Sequence, residues 1–332
     1  MPAHDCLYVT RGWGVHDERW VAALRELGFA PRTVSLGRDA HEDGDLRDRV
    51  LRLSDAGTPV LAGPLHAVTR PLVGLPIRLV GLSWGYDLEQ LDRAGGNLAW
   101  LATLDGLVVD SVTNRTIAER AGLGTERITF LPWGVDIGRF TPDGPAVSRA
   151  DLNLPGPGRV ALSLRAHESI YRVPDVIDAV ALLDDVALVI GHSGSLTDDL
   201  RAQVTHLDLA DRVRFIGTVP EADIPALMRM ADCYVTASEV DGTSVTLLQA
   251  MACGTAVVAS DTPGNRQWVH AGSTGWSFPT GDSRALARAM SDALTSDSTQ
   301  IVAQARALVE RDADWHANLP RLRAAMDRAR AQ

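Results

Sequence analysis

Short apolar runs rich in branched residues recur along the chain and alternate with longer stretches of helical periodicity. The first half contains the runs CLYV, RTVSL, PVLAG, IRLVGL, GLVVD and ITFL, and the second half contains RVALSL, VALVIG, VRFIG, CYVTA and AVVAS. Between them, residues 17–27 and 114–121 have the pattern of helices. Strands that are apolar at every position are buried on both faces, and intervening helices make neighbouring strands parallel. The pattern predicts an α/β fold.

The length of 332 residues favours two domains, at about 100–200 residues each. Residues 141–158 contain four prolines and few apolar side chains, which is typical of a linker. We therefore predict a Rossmann-like domain over 1–145, a second one over 146–310, and a C-terminal helix over 311–332 that is a candidate to pack back on the first domain. Each sheet is expected to be doubly wound, with a cleft between the domains and ligands bound at the carboxyl ends of the strands.

Charge and composition exclude several classes of function. All 32 basic residues are arginine, so Schiff-base, pyridoxal and P-loop chemistry, which need a lysine, are excluded. The net charge of -10 without a basic block argues against a nucleic-acid partner. Cys6, Cys233 and Cys253 are too widely separated for a zinc motif, so buried thiols and no metal site are expected.

No apolar run reaches the length of about 18 residues that a membrane span requires, and the N-terminal residues lack the features of a signal peptide. A cytoplasmic location is the resulting expectation.

The stretch SEVDGTSVTLLQAMACG (238–254) places small polar residues at the start of an apolar helix. Thr243 or Ser244 can cap this helix, Gly242 allows a ligand to approach the backbone, and free amides at a helix start bind phosphate. Simple capping of a buried helix is the alternative. Asp241 would repel a phosphate, so a sugar hydroxyl is its expected partner. Gln249 could bind a ribose; the alternative is a solvated side chain or one at the rim of the core.

Two further segments carry arginines or follow strands. LPWGVDIGRF (131–140) follows a strand, and LSLRAHESIYR (162–172) contains Arg165 and Arg172. A diphosphate is bound well by arginine forks, although either arginine alone could be a surface charge. A dinucleotide-dependent dehydrogenase is the remaining alternative, but RGWGVHD after the first run is not a G-x-G-x-x-G fingerprint, because position 17 is Asp.

At these residues the chain resembles glycosyltransferase family 4. LPWGVDIGRFTP is similar to the family's Pro-x-Gly-Val-Asp-x-x-x-Phe-x-Pro segment. Residues 213–238 followed by DGTSVTLLQAMACGTAVVASDTPGNRQWV are similar to its donor-binding half. The resemblance implies the GT-B fold, a nucleotide-sugar donor on the second domain, an acceptor on the first, and transfer with retention at the anomeric carbon, without a metal or other cofactor.

The resemblance also implies roles for individual residues. Asp241 and Gln249 stand where the family has two glutamates, which contact the donor sugar and the ribose. Arg165 stands at the phosphate-binding arginine, with Arg172 and the amides of Gly242, Thr243 and Ser244 beside it. On the first domain, Gly12 and Gly14 stand at the glycine turn that approaches the donor phosphates, and His66 at the histidine facing the reacting centre. The nucleotide is expected near Gly217 and Val219.

The sequence departs from the family at three places. The two glutamates are Asp and Gln, the family's phosphate-binding lysine is replaced by Tyr171 or Arg172, and Trp84 stands where many relatives have a histidine. The predicted function is a retaining glycosyltransferase; a silent nucleotide-sugar-binding protein and a nucleotide-sugar epimerase are the alternatives. The identity of the nucleotide, sugar and acceptor stays open, with a small-molecule or glycan acceptor in solution favoured, and so does the oligomeric state.

Overall fold

The structure, a computed structural model, describes residues 4–37, 43–55 and 57–331. Residues 1–3 and Gln332, which the predicted domain bounds include, lie outside these ranges. By its internal contacts the chain divides into two units: unit 1 is Met1–Pro132 with His316–Gln332, and unit 2 is Trp133–Trp315.

Unit 1 contains one parallel sheet of order β2-β1-β3-β4-β5-β6. The chain order is β1 (His4–Thr10), α1 (Val15–Glu26), β2 (Phe29–Ser35), α2 (Asp43–Leu53), β3 (Pro59–Gly63), a π-helix (Leu65–Thr69) continuing into α3 (Arg70–Leu72), β4 (Arg78–Leu82), α4 (Asp87–Arg93), β5 (Gly106–Val109), α5 (Val112–Arg120) and β6 (Ile128–Phe130). Short 3-10 turns occur at Ala99–Thr103 and Thr125–Arg127. The strand order reverses between β1 and β3, which is where doubly wound sheets bind ligands.

Unit 2 contains a second parallel sheet, of order β12-β11-β10-β7-β8-β9. Its elements are β7 (Arg159–Ser163), a 3-10 turn (Ser169–Tyr171), α6 (Val173–Ala181), β8 (Val186–Gly191), α7 (Thr197–His206), β9 (Val213–Gly217), α8 (Ile224–Met230), β10 (Cys233–Thr236), α9 (Val245–Ala252), β11 (Ala256–Ser260), α10 (Pro263–Arg266), β12 (Trp276–Phe278), α11 (Ser283–Thr295) and α12 (Thr299–Asp312). The last helix, α13 (Trp315–Ala331), begins at the final residue of unit 2 and continues in unit 1. In the sheet of unit 2 the order reverses between β7 and β10.

The predicted fold class is confirmed, because each apolar run forms a strand of one of the two parallel sheets. In unit 2, alternate residues of the apolar strands belong to two separate buried clusters, and each cluster also contains helix residues, so helices cover both faces of this sheet. In α6, Val173, Val176, Ile177 and Val180 recur at helical spacing and are all buried against the sheet. The short strand β12 was not predicted, because three residues containing a serine give too little periodicity.

The border between the units comes earlier than the predicted boundary at 145/146. Val135 and Phe140 are buried in the core of unit 2. The proline-rich segment is also held on unit 2, since Arg229 donates to the carbonyl of Pro145 over 2.8 Å and Val147 N donates to Ala226 O over 3.1 Å. Three of the few apolar side chains of this segment, Val147, Leu152 and Leu154, pack against the same core.

The C-terminal helical region consists of α12 in unit 2 and α13, which from His316 onward belongs to unit 1. Val135 binds the segment between the two helices: its N donates to Ala313 O over 2.8 Å, and its O accepts from Trp315 N over 3.0 Å. Within unit 1, Arg323 donates to the carbonyl of Leu27 and Arg328 donates to Thr129 Oγ1 over 2.7 Å. No helix in the described ranges is long and apolar enough to cross a membrane.

Candidate functional site

Arg165 lies just beyond the carboxyl end of β7 and is surrounded by groups from β10 and α9. Its Nη2 donates to Asp241 Oδ2 over 2.7 Å, and its Nη1 donates to Ser244 Oγ over 2.9 Å. The ring centre of Tyr171 lies 4.2 Å from its Cζ. The two switch-point strands of unit 2 thus bring together Arg165, Asp241 and Ser244.

The Arg165–Asp241 pair is taken out of water, since the two side chains are only 11% and 12% exposed. Burial raises the pKa of the Asp241 carboxyl, and the guanidinium of Arg165 opposes that rise. Despite its five N–H donors, Arg165 leaves Nε without an acceptor among the described residues. The Tyr234 hydroxyl also interacts with this guanidinium. A buried donor without a well-placed partner costs about 1–3 kcal/mol, so Nε is a donor that a bound anion would satisfy.

Ser244 is the N-cap residue of α9, but its side chain makes no capping bond to the helix. Its hydroxyl interacts with Arg165 and Asp241 instead. Gly242 and Thr243, which precede it, are buried beside the helix start. The side chain of the cap residue Ser244 therefore binds the ion pair rather than the helix amides.

The backbone before α9 is packed tightly on α10. A Cβ added to Gly264 would lie 1.8 Å from the carbonyl oxygen of Asp241 and 2.5 Å from that of Gly242. The side chain of Asn265, the residue after Gly264, donates from Nδ2 to Ser260 O over 2.9 Å. Glycine at 264 is thus required for the observed position of the Asp241 segment.

Gln249 lies on α9 and is buried, with 5% of its surface exposed. Its Oε1 accepts no hydrogen bond from the described residues. A solvated side chain is therefore excluded, whereas an acceptor reserved for a ligand hydroxyl agrees with the observation.

Arg172 is engaged differently from Arg165. Its Nε donates to Asp175 Oδ2 and its Nη1 to Glu239 Oε1, both over 2.7 Å, and its φ of 48° is in the left-handed region. These two ion pairs raise the pKa of its guanidinium, mainly through the hydrogen bond to Asp175. Arg172 thus binds Glu239, but no described hydrogen bond or ion pair joins it to Arg165 or Asp241.

Gly217 and Val219 lie at and after the end of β9, next to the ends of β7 and β8. A Cβ on Gly191, the last residue of β8, would lie 3.5 Å from Val219 Cγ2 and 3.6 Å from Gly217 O. It would also lie 2.4 Å from Leu164 Cδ2. These residues form an apolar corner at the same edge of the sheet as Arg165.

In unit 1, Gly12 and Gly14 form the turn between β1 and α1. Gly14 N donates to Asp17 Oδ2 over 2.9 Å, and the buried hydroxyl of Tyr8 donates to Asp17 Oδ1, also over 2.9 Å. Asp17, the residue that breaks the dinucleotide fingerprint, is therefore the group that fixes the turn. A Cβ on Gly12 would meet no atom within 4 Å, so the turn is open to a ligand on this side.

His66 is exposed on the π-helix that follows β3, and β3 pairs with β1, the strand that precedes the glycine turn. The start of this helix is held by Asp87, whose Oδ2 accepts from Leu65 N over 2.8 Å. Trp84, after β4, makes an edge contact with His16, with ring centroids 6.2 Å apart. The roles of His66, Gly12 and Gly14 toward a donor stay predictions.

Two residues near the site, Tyr234 and His167, were not identified from the sequence. Tyr234, in the run CYVTA, shares a hydrogen bond of 2.6 Å between its hydroxyl and Thr246 Oγ1, and a tyrosine in an otherwise apolar buried run is the signal for it. His167 joins the loops after β7 and β8, with Nε2 3.1 Å from Gly191 O and Nδ1 2.9 Å from Thr197 Oγ1. Burial lowers the pKa of His167. No sequence pattern distinguishes it from a solvated histidine.

Comparison with known proteins agrees with this geometry. Residues 146–310 match the family model described as glycosyl transferases group 1. The chain is 39% identical over 283 residues to a phosphatidyl-myo-inositol mannosyltransferase of Mycobacterium leprae, an alignment covering 83% of this chain and 71% of the relative.

Other relatives are matched over a smaller share of their length. A D-inositol 3-phosphate glycosyltransferase of Nocardia farcinica is 28% identical over 212 residues, covering 60% of this chain and 47% of the relative. A phosphatidyl-myo-inositol mannosyltransferase of Mycolicibacterium smegmatis is 35% identical over 202 residues, covering 58% of this chain and 50% of the relative. The chain thus spans about half the length of these two proteins.

Two solved structures share the fold across nearly the whole chain. Anabaena Alr3699/HepE in complex with UDP and glucose has a TM-score of 0.78 at 18% identity, covering 98% of this chain and 99% of that chain. A sucrose-phosphate synthase of Thermosynechococcus elongatus has a TM-score of 0.78 at 16% identity, covering 96% and 97%. The fold, the family model and the relatives agree with the resemblance carried by residues 131–140 and 241–249, and the chain belongs to the group 1 glycosyl transferases, of family 4 type and GT-B fold.

Proposed function

We propose that the chain transfers a sugar from a nucleoside-diphosphate sugar to an acceptor hydroxyl, with retention at the anomeric carbon. The observation that carries this proposal is that two buried polar atoms, the donor Arg165 Nε and the acceptor Oε1 of Gln249, have no partner among the described residues. Arg165 is bonded to Ser244, the N-cap of the helix that carries Gln249. Phosphate oxygens and ribose hydroxyls are the chemical complements of these two atoms.

In this proposal Arg165 and the amides at the start of α9 stabilise the negative charge that develops on the departing diphosphate. Asp241 accepts from hydroxyls of the donor sugar, Gln249 binds the ribose, and the base packs near Gly217 and Val219. The C1–O bond to the phosphate breaks while the bond from C1 to the acceptor oxygen forms on the same face. The acceptor proton passes to a phosphate oxygen. No step requires a metal or cofactor.

The acceptor class is suggested by the relatives, whose names specify inositol phosphates and phosphatidylinositol. The net charge of -10 weakens attraction to an anionic lipid surface. We therefore propose a hydroxyl acceptor in solution, with free inositol and inositol 3-phosphate as the first compounds to test.

The reaction is tested by incubating the protein with UDP-, GDP-, dTDP- and ADP-sugars and each acceptor, with and without EDTA. We expect a glycoside whose anomeric configuration, read by NMR, equals that of the donor, at a rate that EDTA leaves unchanged. A product of inverted configuration would contradict retention. Loss of turnover in EDTA would contradict metal independence, and conversion of the donor without acceptor would favour an epimerase.

Gln249→Met tests the ribose contact separately from folding. Because Gln249 Oε1 has no partner among the described residues, we expect the free energy of unfolding to stay the same or rise, while nucleoside-diphosphate affinity falls by about tenfold. The matched control is Gln203→Met: Gln203 Nε2 donates to Asp178 Oδ1 over 2.6 Å and to Pro174 O over 3.1 Å, so that variant should lose stability and keep affinity. Calorimetry and urea unfolding measure both quantities. Unchanged affinity in Gln249→Met would contradict the assignment.

A further inference from the structure

In the structure the charged groups of Arg165 and Asp241 bind each other. The Nη2–Oδ2 distance is 2.7 Å, and Ser244 interacts with both partners. The formal charges of the pair cancel. A diphosphate that approaches Arg165 therefore also approaches a carboxylate that is already bound to it.

Among the described residues of unit 2, Arg165 is the one basic side chain with an ion pair to this carboxylate. The chain has no lysine, and the nearby Arg172 is held by the carboxylates of Asp175 and Glu239. A diphosphate can bind Arg165 Nε directly, but it reaches the Nη donors only if Asp241 exchanges the guanidinium for another hydrogen-bond donor, because a buried carboxylate left without partners is strongly unfavourable.

The two forms of the nucleotide differ in what they offer Asp241. A nucleoside-diphosphate sugar carries hydroxyl donors next to its β-phosphate, whereas the free nucleoside diphosphate carries a terminal phosphate with more negative charge. In a site with little water, a carboxylate facing such a phosphate repels it strongly.

We propose that Asp241 makes this site discriminate between the nucleoside-diphosphate sugar and the nucleoside diphosphate that transfer leaves behind. With the sugar present, its hydroxyls replace Arg165 as partners of Asp241, and Arg165 turns to the phosphate. Once the sugar has been transferred, the repulsion between Asp241 and the terminal phosphate lowers product affinity and speeds product release. This inference rests on the proposed function.

The test is calorimetric titration of UDP, GDP, dTDP and ADP, and of the corresponding nucleotide-glucose compounds and GDP-mannose, into the wild type and Asp241→Asn. We expect Asp241→Asn to bind the free diphosphate roughly tenfold or more tightly than the wild type does, and the sugar nucleotide no more tightly. Asp261→Asn is the matched control. Asp261 directly follows β11, the strand next to β10, and its carboxylate is paired with Arg266. The substitution removes the same charge and should leave both affinities nearly unchanged.

Unchanged or weaker binding of the free diphosphate by Asp241→Asn overturns the inference and leaves the proposed function standing. Failure of the wild type to bind any of these compounds overturns both. Thermal unfolding shows whether Asp241→Asn is folded; should it not fold, Asp241→Ser removes the same charge while retaining an acceptor for Arg165, and the same outcomes apply.

Discussion

Arg165→Ala is expected to lower the affinity for a nucleoside diphosphate by about a hundredfold or more, and to abolish turnover. Arg165 follows β7, and its guanidinium connects the end of this strand to Asp241. Its Nε has no hydrogen-bond acceptor among the described residues. Arg165→Lys should recover little of this affinity, because an ammonium group cannot replace a fork that donates to Ser244 and Asp241 together. Calorimetry with the tightest of the four diphosphates measures the effect.

Two controls separate binding from folding in the Arg165 series. Removal of the arginine leaves Asp241 buried and unpaired, which costs about 3–5 kcal/mol of stability. The double variant Arg165→Gln with Asp241→Asn replaces the ion pair by neutral hydrogen-bonding groups and should remain folded without binding the diphosphate. Arg266→Ala, which removes an exposed arginine from the same unit, should bind normally. Near-normal affinity in a folded Arg165→Ala protein would contradict the site.

Gly264→Ala is expected to abolish nucleotide binding through the backbone alone. The new methyl group would overlap the carbonyl oxygens of Asp241 and Gly242, at 1.8 and 2.5 Å, and backbone cannot move aside as the end of a side chain can. The Asp241 segment must shift, at a cost of at least about 1–3 kcal/mol in the free energy of unfolding. Urea unfolding and calorimetry measure the two effects.

The matched control for this substitution is Gly156→Ala, in the same unit. A Cβ at Gly156 would meet no atom within 4 Å, so neither stability nor affinity should fall. Gly264→Ala protein with wild-type affinity and stability would show that the segment before α9 is not fixed by α10, and the described geometry of the site would be wrong.

The sequence predicted the two parallel sheets well because each strand is a continuous run of branched apolar residues bounded by turn-forming residues. The run CYVTA and the following DGTS segment correctly predicted a strand followed by a turn and a helix start, since strand ends and helix starts carry local signals. The strand order itself, which places β7 beside β10, depends on long-range pairing and could not be read from local pattern.

The partners within the site were less predictable. Arg165, Asp241 and Ser244 were named as separate contacts to a ligand, yet in the structure they bind one another. Arg172 was named with them, but Asp175, three residues further along, and Glu239 hold it. Charge pairing across strands depends on side-chain direction, for which a single sequence has no signal. The segment 141–158 had the composition of a linker but is attached to unit 2 by contacts such as that between Val147 N and Ala226 O.

The central claim is that a nucleoside diphosphate binds unit 2 at the carboxyl ends of β7 and β10. Hydrogen–deuterium exchange of the wild-type protein, with and without a saturating concentration of the diphosphate that binds best, tests it most directly. The account predicts slower amide exchange in residues 164–172 and 241–249 on binding. Unchanged exchange in both segments, with protection elsewhere in unit 2, would contradict it.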